Sequence, residues 1–512
     1  MYTMFSCFWD LWRAFRVAVA AALLFCLCPM ESALAQLGLP RVALPPAQAA
    51  QQFSPNQQFP SVAPPVQVQR LPQTPQVPQA TLNQPILGAT VPVQIQQLPN
   101  SLPAAPLGPL TAPASNAANL LPGATALQNT VPLQSLRAAT ARELLRKHAD
   151  VLEPDPNGEP VRRQELLWMS PQDSQLDAAL AAGFVVLREQ TLVTLGLRQI
   201  VLRPPNGWST AQALEKLRAL APQLVVDFNH VYLQGGRMRG NPSTTINTVT
   251  ATTTIKPTGA VRVGLVDGGL DMQHPALRGA DVRRWGCHGA SVPSVHGTAV
   301  ASLLVGRAAA VRAVIPGAAV YSADIYCGQP AGGAAENIAS ALEWLAHEKL
   351  AVINISLVGP PNRLLEQVVQ AMVRAGHLLV AAVGNDGPAA PPLYPATYPG
   401  VVGVTAVNSH RQVLPEAAQG AQVTFAALGA DVAVAEPASG YARARGTSFA
   451  APVVAGLLAY DMSLPDPAAA RAALARLAAH AIDLGAPGRD DVFGLGLVEQ
   501  AAVPDASVAK KR

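Results

Sequence analysis

In the C-terminal half of this 512-residue chain, four side chains of chemical interest sit where apolar runs end or begin. Asp267 closes the run VRVGLVD and precedes Gly268 and Gly269, which let the chain turn sharply. His296 opens HGTAVASLLVG, and Asn385 stands in GNDG after HLLVAAV. Ser448 lies in GTSFAAP, at the head of a helix that runs on as VVAGLLAY. Each has a plain structural alternative: a capping Asp, a structural His, a turn Asn, an N-cap Ser. Together they form the set that activates a hydroxyl for acyl transfer. The imidazole takes the serine proton, the carboxylate holds the imidazole tautomer, and the amide binds the oxyanion.

Short apolar runs must position these groups: Val261–Val266, Ala319–Ile325, Val352–Ile355, Leu378–Val383 and Val401–Val407 alternate with helical patterns. That alternation predicts an α/β fold, a doubly wound and mainly parallel sheet with helices on both faces. Function in such sheets collects at the carboxyl ends of strands, where Asp267 and Asn385 stand. The order Asp, His, Ser and the absence of a G-x-S-x-G elbow separate the arrangement from α/β-hydrolases. Charged residues make up 13% of the chain, and 36 basic against 32 acidic residues give a net +4 without long runs. This argues against a nucleic-acid partner, which needs clustered Lys and Arg, and against an acidic solvating protein.

The N-terminal half divides into pieces. Residues 1–35 read as an export signal: Arg13 and Arg16 precede the apolar run Val17–Cys28, and Ala33-Leu34-Ala35 offers small residues for cleavage. An uncleaved anchor is the alternative. No other stretch is apolar and long enough to span a bilayer, so no stable membrane span is expected after signal cleavage. Residues 36–135 hold 19 Pro and 17 Gln with no Asp or Glu, the composition of a disordered spacer arm. Residues 136–235 read as a small α+β unit, with a helix at Ala139–Leu152. A β-α-β-β-α-β order then runs from Glu165 to a last strand at Val225–Leu233. Residues 236–258 are polar and Thr-rich, a linker and processing site; 259–505 form the α/β domain, and 506–512 a basic tail. Once the signal leaves with Cys7, Cys26 and Cys28, only Cys287 and Cys327 remain, either as one disulfide in an oxidising compartment or as two free thiols.

From Val261 to Val503 the chain resembles the subtilisin-like serine proteases (subtilases). The resemblance rests on the segments around Asp267, His296, Asn385 and Ser448. It extends to VIPGAAVYSADIY, NIASALEWL with VINISLVG, YPATYPGVVGVTAV, VTFAALGADVAVAEP and FGLGLVEQAAV. It implies Ser448 as nucleophile, His296 as general base and acid, and Asp267 as the orienting carboxylate. Asn385 and the Ser448 N–H would form the oxyanion hole. Ser356, Leu357 and Val358, with Ala381 to Gly384, would flank the substrate and pair with its backbone. The resemblance also makes 136–235 an inhibitory prodomain, with VDFNHVYLQ as its last strand and a self-processing cut somewhere in Gly235–Gly259. It places Cys287 and Cys327 near neighbouring strand ends.

This chain departs from the family at Gly268, at Val358, where a Gly is usual, and at Phe449 and Val453. The departures bear on substrate preference. Asn354-Ile355-Ser356 fits a glycosylation triplet but lies in an expected buried strand. The resulting expectation is an exported (periplasmic, cell-surface or secreted), monomeric serine endopeptidase made as a zymogen. Its partners would be a polypeptide substrate and its own prodomain, with no cofactor and no metal. A catalytically silent scaffold on this fold is the alternative, and a serine esterase a third reading.

Overall fold

The computed structural model describes residues 134–220, 223–239, 261–437 and 440–499. The expected export signal, all but the end of the arm, the linker from 240 and the basic tail lie outside the described residues.

The first described elements are α1 (Gln134–Lys147), β1 (Leu152–Pro154), β2 (Pro160–Met169), α2 (Asp173–Ala181), β3 (Val185–Leu192), β4 (Leu197–Arg203), α3 (Thr210–Leu220) and β5 (Val225–His230). The strands form an antiparallel sheet in the order β5-β2-β4-β3, with β1 against the start of β2. β2 is apolar at successive positions because both its faces are covered. Leu166 and Trp168 share a core with Leu176, Leu214 and Leu217 of α2 and α3. Leu167 and Met169 belong instead to a core shared with Leu342 and Leu345 of the following domain.

Two expectations about this unit need correction. The helix expected at Ala139–Leu152 begins at Gln134 and ends at Lys147, because Leu152 is drawn into pairing with Arg162 of β2. The single strand expected at Val225–Leu233 breaks after His230. There the chain changes partners: Tyr232 N–H donates to Gly333 O, and β6 (Leu233–Gln234) leaves the sheet. Part of the expected linker is also ordered, as β7 (Arg237–Arg239).

The second set runs β8 (Arg262–Asp267), β9 (Val282–Trp285), α4 (Val295–Val305), β10 (Ala319–Asp324), α5 (Ala335–His347), β11 (Val352–Ile355), β12 (Leu357–Val358), α6 (Arg363–Arg374), β13 (Leu378–Ala382), β14 (Val402–Val407), β15 (Val423–Leu428), β16 (Ala430–Glu436), β17 (Gly440–Arg445), α7 (Thr447–Asp461) and α8 (Pro467–His480). Seven of these strands form one parallel sheet in the order β15-β14-β13-β11-β8-β10-β9. Helices α4, α7 and α8 cover one face, and α5 and α6 the other. The doubly wound α/β fold read from the alternation is therefore the fold observed. No helix among the described residues is long and apolar enough to cross a membrane.

The N-terminal unit meets this domain on a helix face, in the cleft, and at Asp386, whose Oδ2 accepts from Arg137 Nε of α1 at 2.9 Å. Its sheet packs on α5 and α6 through Leu167, Met169, Leu192 and Val201. Beside that apolar contact, the buried Glu336 carboxylate accepts from Arg162 Nη1 at 2.7 Å and Arg188 Nη2 at 2.9 Å. The second meeting place is the cleft at the carboxyl ends of the parallel strands. There β6 pairs antiparallel with β12, and β7 joins the β16–β17 hairpin as a third strand.

Candidate active site

Asp267 is the last residue of β8 and fully buried. Its Oδ1 accepts from the Gly268 N–H at 2.7 Å. His296 is the second residue of α4, a helix capped by Ser294, whose Oγ accepts from Gly297 N–H. His296 Nδ1 lies 2.8 Å from Asp267 Oδ2 and 3.0 Å from Oδ1. Ser448 is the second residue of α7, after Gly446 at φ +138°. The first-turn N–H groups of a helix, that of Ser448 among them, have no intrahelical partner.

Asn385 follows β13. Its Oδ1 accepts from Thr447 N–H at 2.9 Å, which leaves its buried Nδ2 without a hydrogen-bond partner. An unpartnered buried amide donor is costly unless something is destined to bind it. Thr447 also fixes the preceding turn, because its Oγ1 accepts from Gly384 N–H at 3.2 Å. Asn354 is buried as expected; its Nδ2 donates to Ser356 Oγ, which donates to the Ser448 carbonyl.

The cleft is filled by the chain itself. Gln234 pairs with Leu357 and Leu233 with Val358. Gly235 then passes between His296 and Ser448: its carbonyl oxygen accepts from His296 Nε2 at 2.7 Å. A Cβ added there would lie 2.8 Å from Ser448 Oγ and 3.3 Å from Asn385 Nδ2. Both ring nitrogens of His296 thus face acceptors, an arrangement that fits the imidazolium with two N–H donors. Burial works to lower the His296 pKa. The Asp267 carboxylate and the hydrogen bonds from both nitrogens outweigh it, and the net direction is upward. The Gly235 carbonyl is turned toward His296 and not toward Asn385 Nδ2, so this is a blocked geometry.

Of the residues expected to hold substrate, Leu357 and Val358 pair with the seated strand, while the Ser356 carbonyl accepts from Ser448 Oγ at 3.3 Å, so the Ser448 hydroxyl is turned to Ser356. Ala381 is buried within β13, and Gly384 braces the turn before Asn385. Cys287 and Cys327 are disulfide-bonded just beyond β9 and β10, with Cα atoms 5.2 Å apart. The resemblance had VDFNHVYLQ lead toward the site, where Gln234 is found; sequence reasoning missed Ser294, Thr447 and the seat of Gly235 against His296. A Ser two residues before His296 is an N-cap signal that could have been read.

A family model described as the subtilase family matches residues 258–496. Subtilisin from Bacillus pumilus is 32% identical over 212 residues, which cover 40% of this chain and 77% of that protein. The chain belongs to the subtilase family. The minor extracellular protease Epr of Bacillus subtilis (strain 168) is 31% identical over 211 residues, and subtilisin E of the same organism 32% over 212. Each alignment covers 40% of this chain, but only 32% of Epr and 55% of subtilisin E. Among solved structures, fervidolysin from Fervidobacterium pennivorans, a keratinolytic enzyme related to subtilisin, has a TM-score of 0.56 at 21% identity. The superposition covers 69% of this chain and 62% of fervidolysin, a likeness of fold alone.

Proposed function

We propose that this subtilase is an exported serine endopeptidase made as a self-processing zymogen. The observation that carries the reading is Gly235, seated between His296 and Ser448 beside the unpartnered Asn385 Nδ2. Residues 136–235 act as the inhibitory prodomain, and the bond cut is Gly235–Gly236.

Processing begins when His296 gives up its Nε2 proton. The Gly235 carbonyl then loses its donor and turns toward Asn385 Nδ2 and the Ser448 N–H. Neutral His296 takes the Ser448 Oγ proton as Oγ attacks the carbonyl carbon of Gly235. The C–N bond to Gly236 breaks, and His296 passes the proton to the departing amine. Water then hydrolyses the acyl ester with His296 again as base, leaving a carboxylate on Gly235 and a free Ser448 hydroxyl. Asp267 keeps the imidazole oriented throughout. Polypeptide substrates follow the same course, paired with Leu357 and Val358 as a strand. Export is supported by the signal-like first 35 residues and by the Cys287–Cys327 bond. The mature enzyme works as a monomer.

Labelling with a fluorophosphonate probe tests the reading. The expected result is a probe adduct on Ser448 of a shortened wild-type chain and none on Ser448→Ala. An unlabelled wild type would favour the silent scaffold.

A further inference from the structure

The uncut strand shows what kind of peptide fits this cleft. Counting outward from the proposed cut, Gly235 is P1, Gln234 P2, Leu233 P3, Tyr232 P4 and Gly236 P1′. We propose that the enzyme is selective for substrates with tyrosine at P4 and glycine on both sides of the cut bond, of the form Tyr-x-Gln-Gly–Gly. This deepens the peptidase reading and rests on it.

Tyr232 is fully buried. Its hydroxyl donates to the Pro360 carbonyl at 2.7 Å, and its own carbonyl accepts from Tyr326 OH at 3.0 Å. Room for the ring depends on Gly359, where a Cβ would lie 2.5 Å from Tyr232 Cδ1. An apolar hole would accept any ring. A hole that ends on a buried carbonyl acceptor discriminates against phenylalanine, because the carbonyl is then left unpaired.

Gly236 sits at φ +89°, where other residues are strained, and its surroundings add a second restriction. A Cβ there would lie 2.6 Å from Phe449 Cε2 and 3.2 Å from the Arg445 carbonyl. On the other side, a Cβ on Gly446 would lie 2.7 Å from Gly236 Cα, so the chain runs in a slot between Gly446 and Phe449. Phe449 is one of the departures from the family pattern, and here it touches the P1′ residue. At P1, a Cβ would press on Ser448 Oγ. Of the wall expected to receive a P1 side chain, Val358, Ala381 and Val383 are 3% exposed or less, although Gly235 brings no side chain.

A second departure, Gly268, bears on P2. A Cβ on Gly268 would lie 3.0 Å from Gln234 Nε2, which donates to Asp267 Oδ1 at 2.9 Å and Ser294 Oγ at 3.2 Å. The same Cβ would meet Ser294 first, at 2.5 Å from its Cβ and 2.6 Å from its Oγ, so the missing side chain lets Ser294 sit close and leaves its Oγ within reach of the Gln234 amide. Gln234 is otherwise exposed, so P2 contributes least to selectivity.

The test uses processed wild-type enzyme, titrated with the fluorophosphonate probe, and a quenched peptide spanning Val231–Met238. Replacing P1′ glycine by alanine is expected to lower kcat/KM about 10- to 100-fold. Replacing P4 tyrosine by phenylalanine is expected to lower it about tenfold. In Phe449→Met enzyme the Gly/Ala ratio at P1′ should shrink while the Tyr/Phe ratio at P4 stays. Enzyme that takes the probe but cleaves all three peptides alike, or cleaves none, overturns the selectivity and leaves the peptidase reading intact. Enzyme that does not take the probe overturns both. Should Phe449→Met fail to fold, the wild-type ratios alone decide.

Discussion

The N-terminal unit holds the subtilase domain on a helix face and in the cleft, and these two contacts differ in kind. On α5 and α6 it lays down an apolar sheet face with a buried carboxylate held between two arginines. In the cleft it lays down a single strand, held by backbone pairing and by one buried tyrosine. Only the second contact contains the bond proposed to be cut. Cutting Gly235–Gly236 frees β7 from β6 but leaves every partner on α5 and α6 in place. On the proposed reading, inhibition therefore outlasts the cut, and activity appears when the helix-face contact is lost.

Four changes would break or sharpen this comparison. Ser448→Ala removes the proposed nucleophile while leaving both contacts, and self-processing should fall by about a million-fold. A chain that is still cut at the same rate, followed on gels, would contradict the reading. Asn385→Ala removes the proposed oxyanion donor and should slow peptide turnover by about 100- to 1000-fold with KM little changed. Steady-state kinetics on the processed enzyme checks this.

Glu336→Gln acts on the helix-face contact alone. It leaves Arg162 and Arg188 short of a partner and should weaken docking by about 1–3 kcal/mol. The expected readouts are a lower melting temperature of the uncut Ser448→Ala,Glu336→Gln chain relative to Ser448→Ala and a shorter lag between cutting and activity. An unchanged lag would place the inhibition in the cleft strand. The smallest effect is that of pH. The His296 pKa is raised in the uncut chain, so the Gly235 contact is fully present below the ordinary value of 6.5 and is lost as pH rises through the raised value. Self-processing should therefore quicken with pH by up to about tenfold per unit until His296 is neutral, then level off. A rate that falls with rising pH would contradict the blocked imidazolium.

Much of the parallel sheet was legible because its interior strands are short, continuous apolar runs bounded by polar or glycine residues, as at Asp267 and Gly268. The edge strand β9 (VRRW) was not, since Arg283 and Arg284 break the apolar pattern that marks an interior strand. The family segments around the four polar residues located the site. Its filling was not legible from local pattern. Val225 to Leu233 reads as one strand, and nothing within the run says that Tyr232 leaves one sheet to enter a pocket made by Gly333, Gly359 and Pro360. Those partners stand more than a hundred positions further along the chain. Likewise, Gly268 and Phe449 could be noted as departures, but their meaning needed Gln234 and Gly236 beside them.

The most direct test of the central claim is intact-mass and N-terminal analysis of purified wild-type chain beside Ser448→Ala. A wild-type fragment beginning at Gly236, with the mutant uncut, is the expected result. A wild-type boundary elsewhere, or a mutant cut at the same bond, would contradict the account.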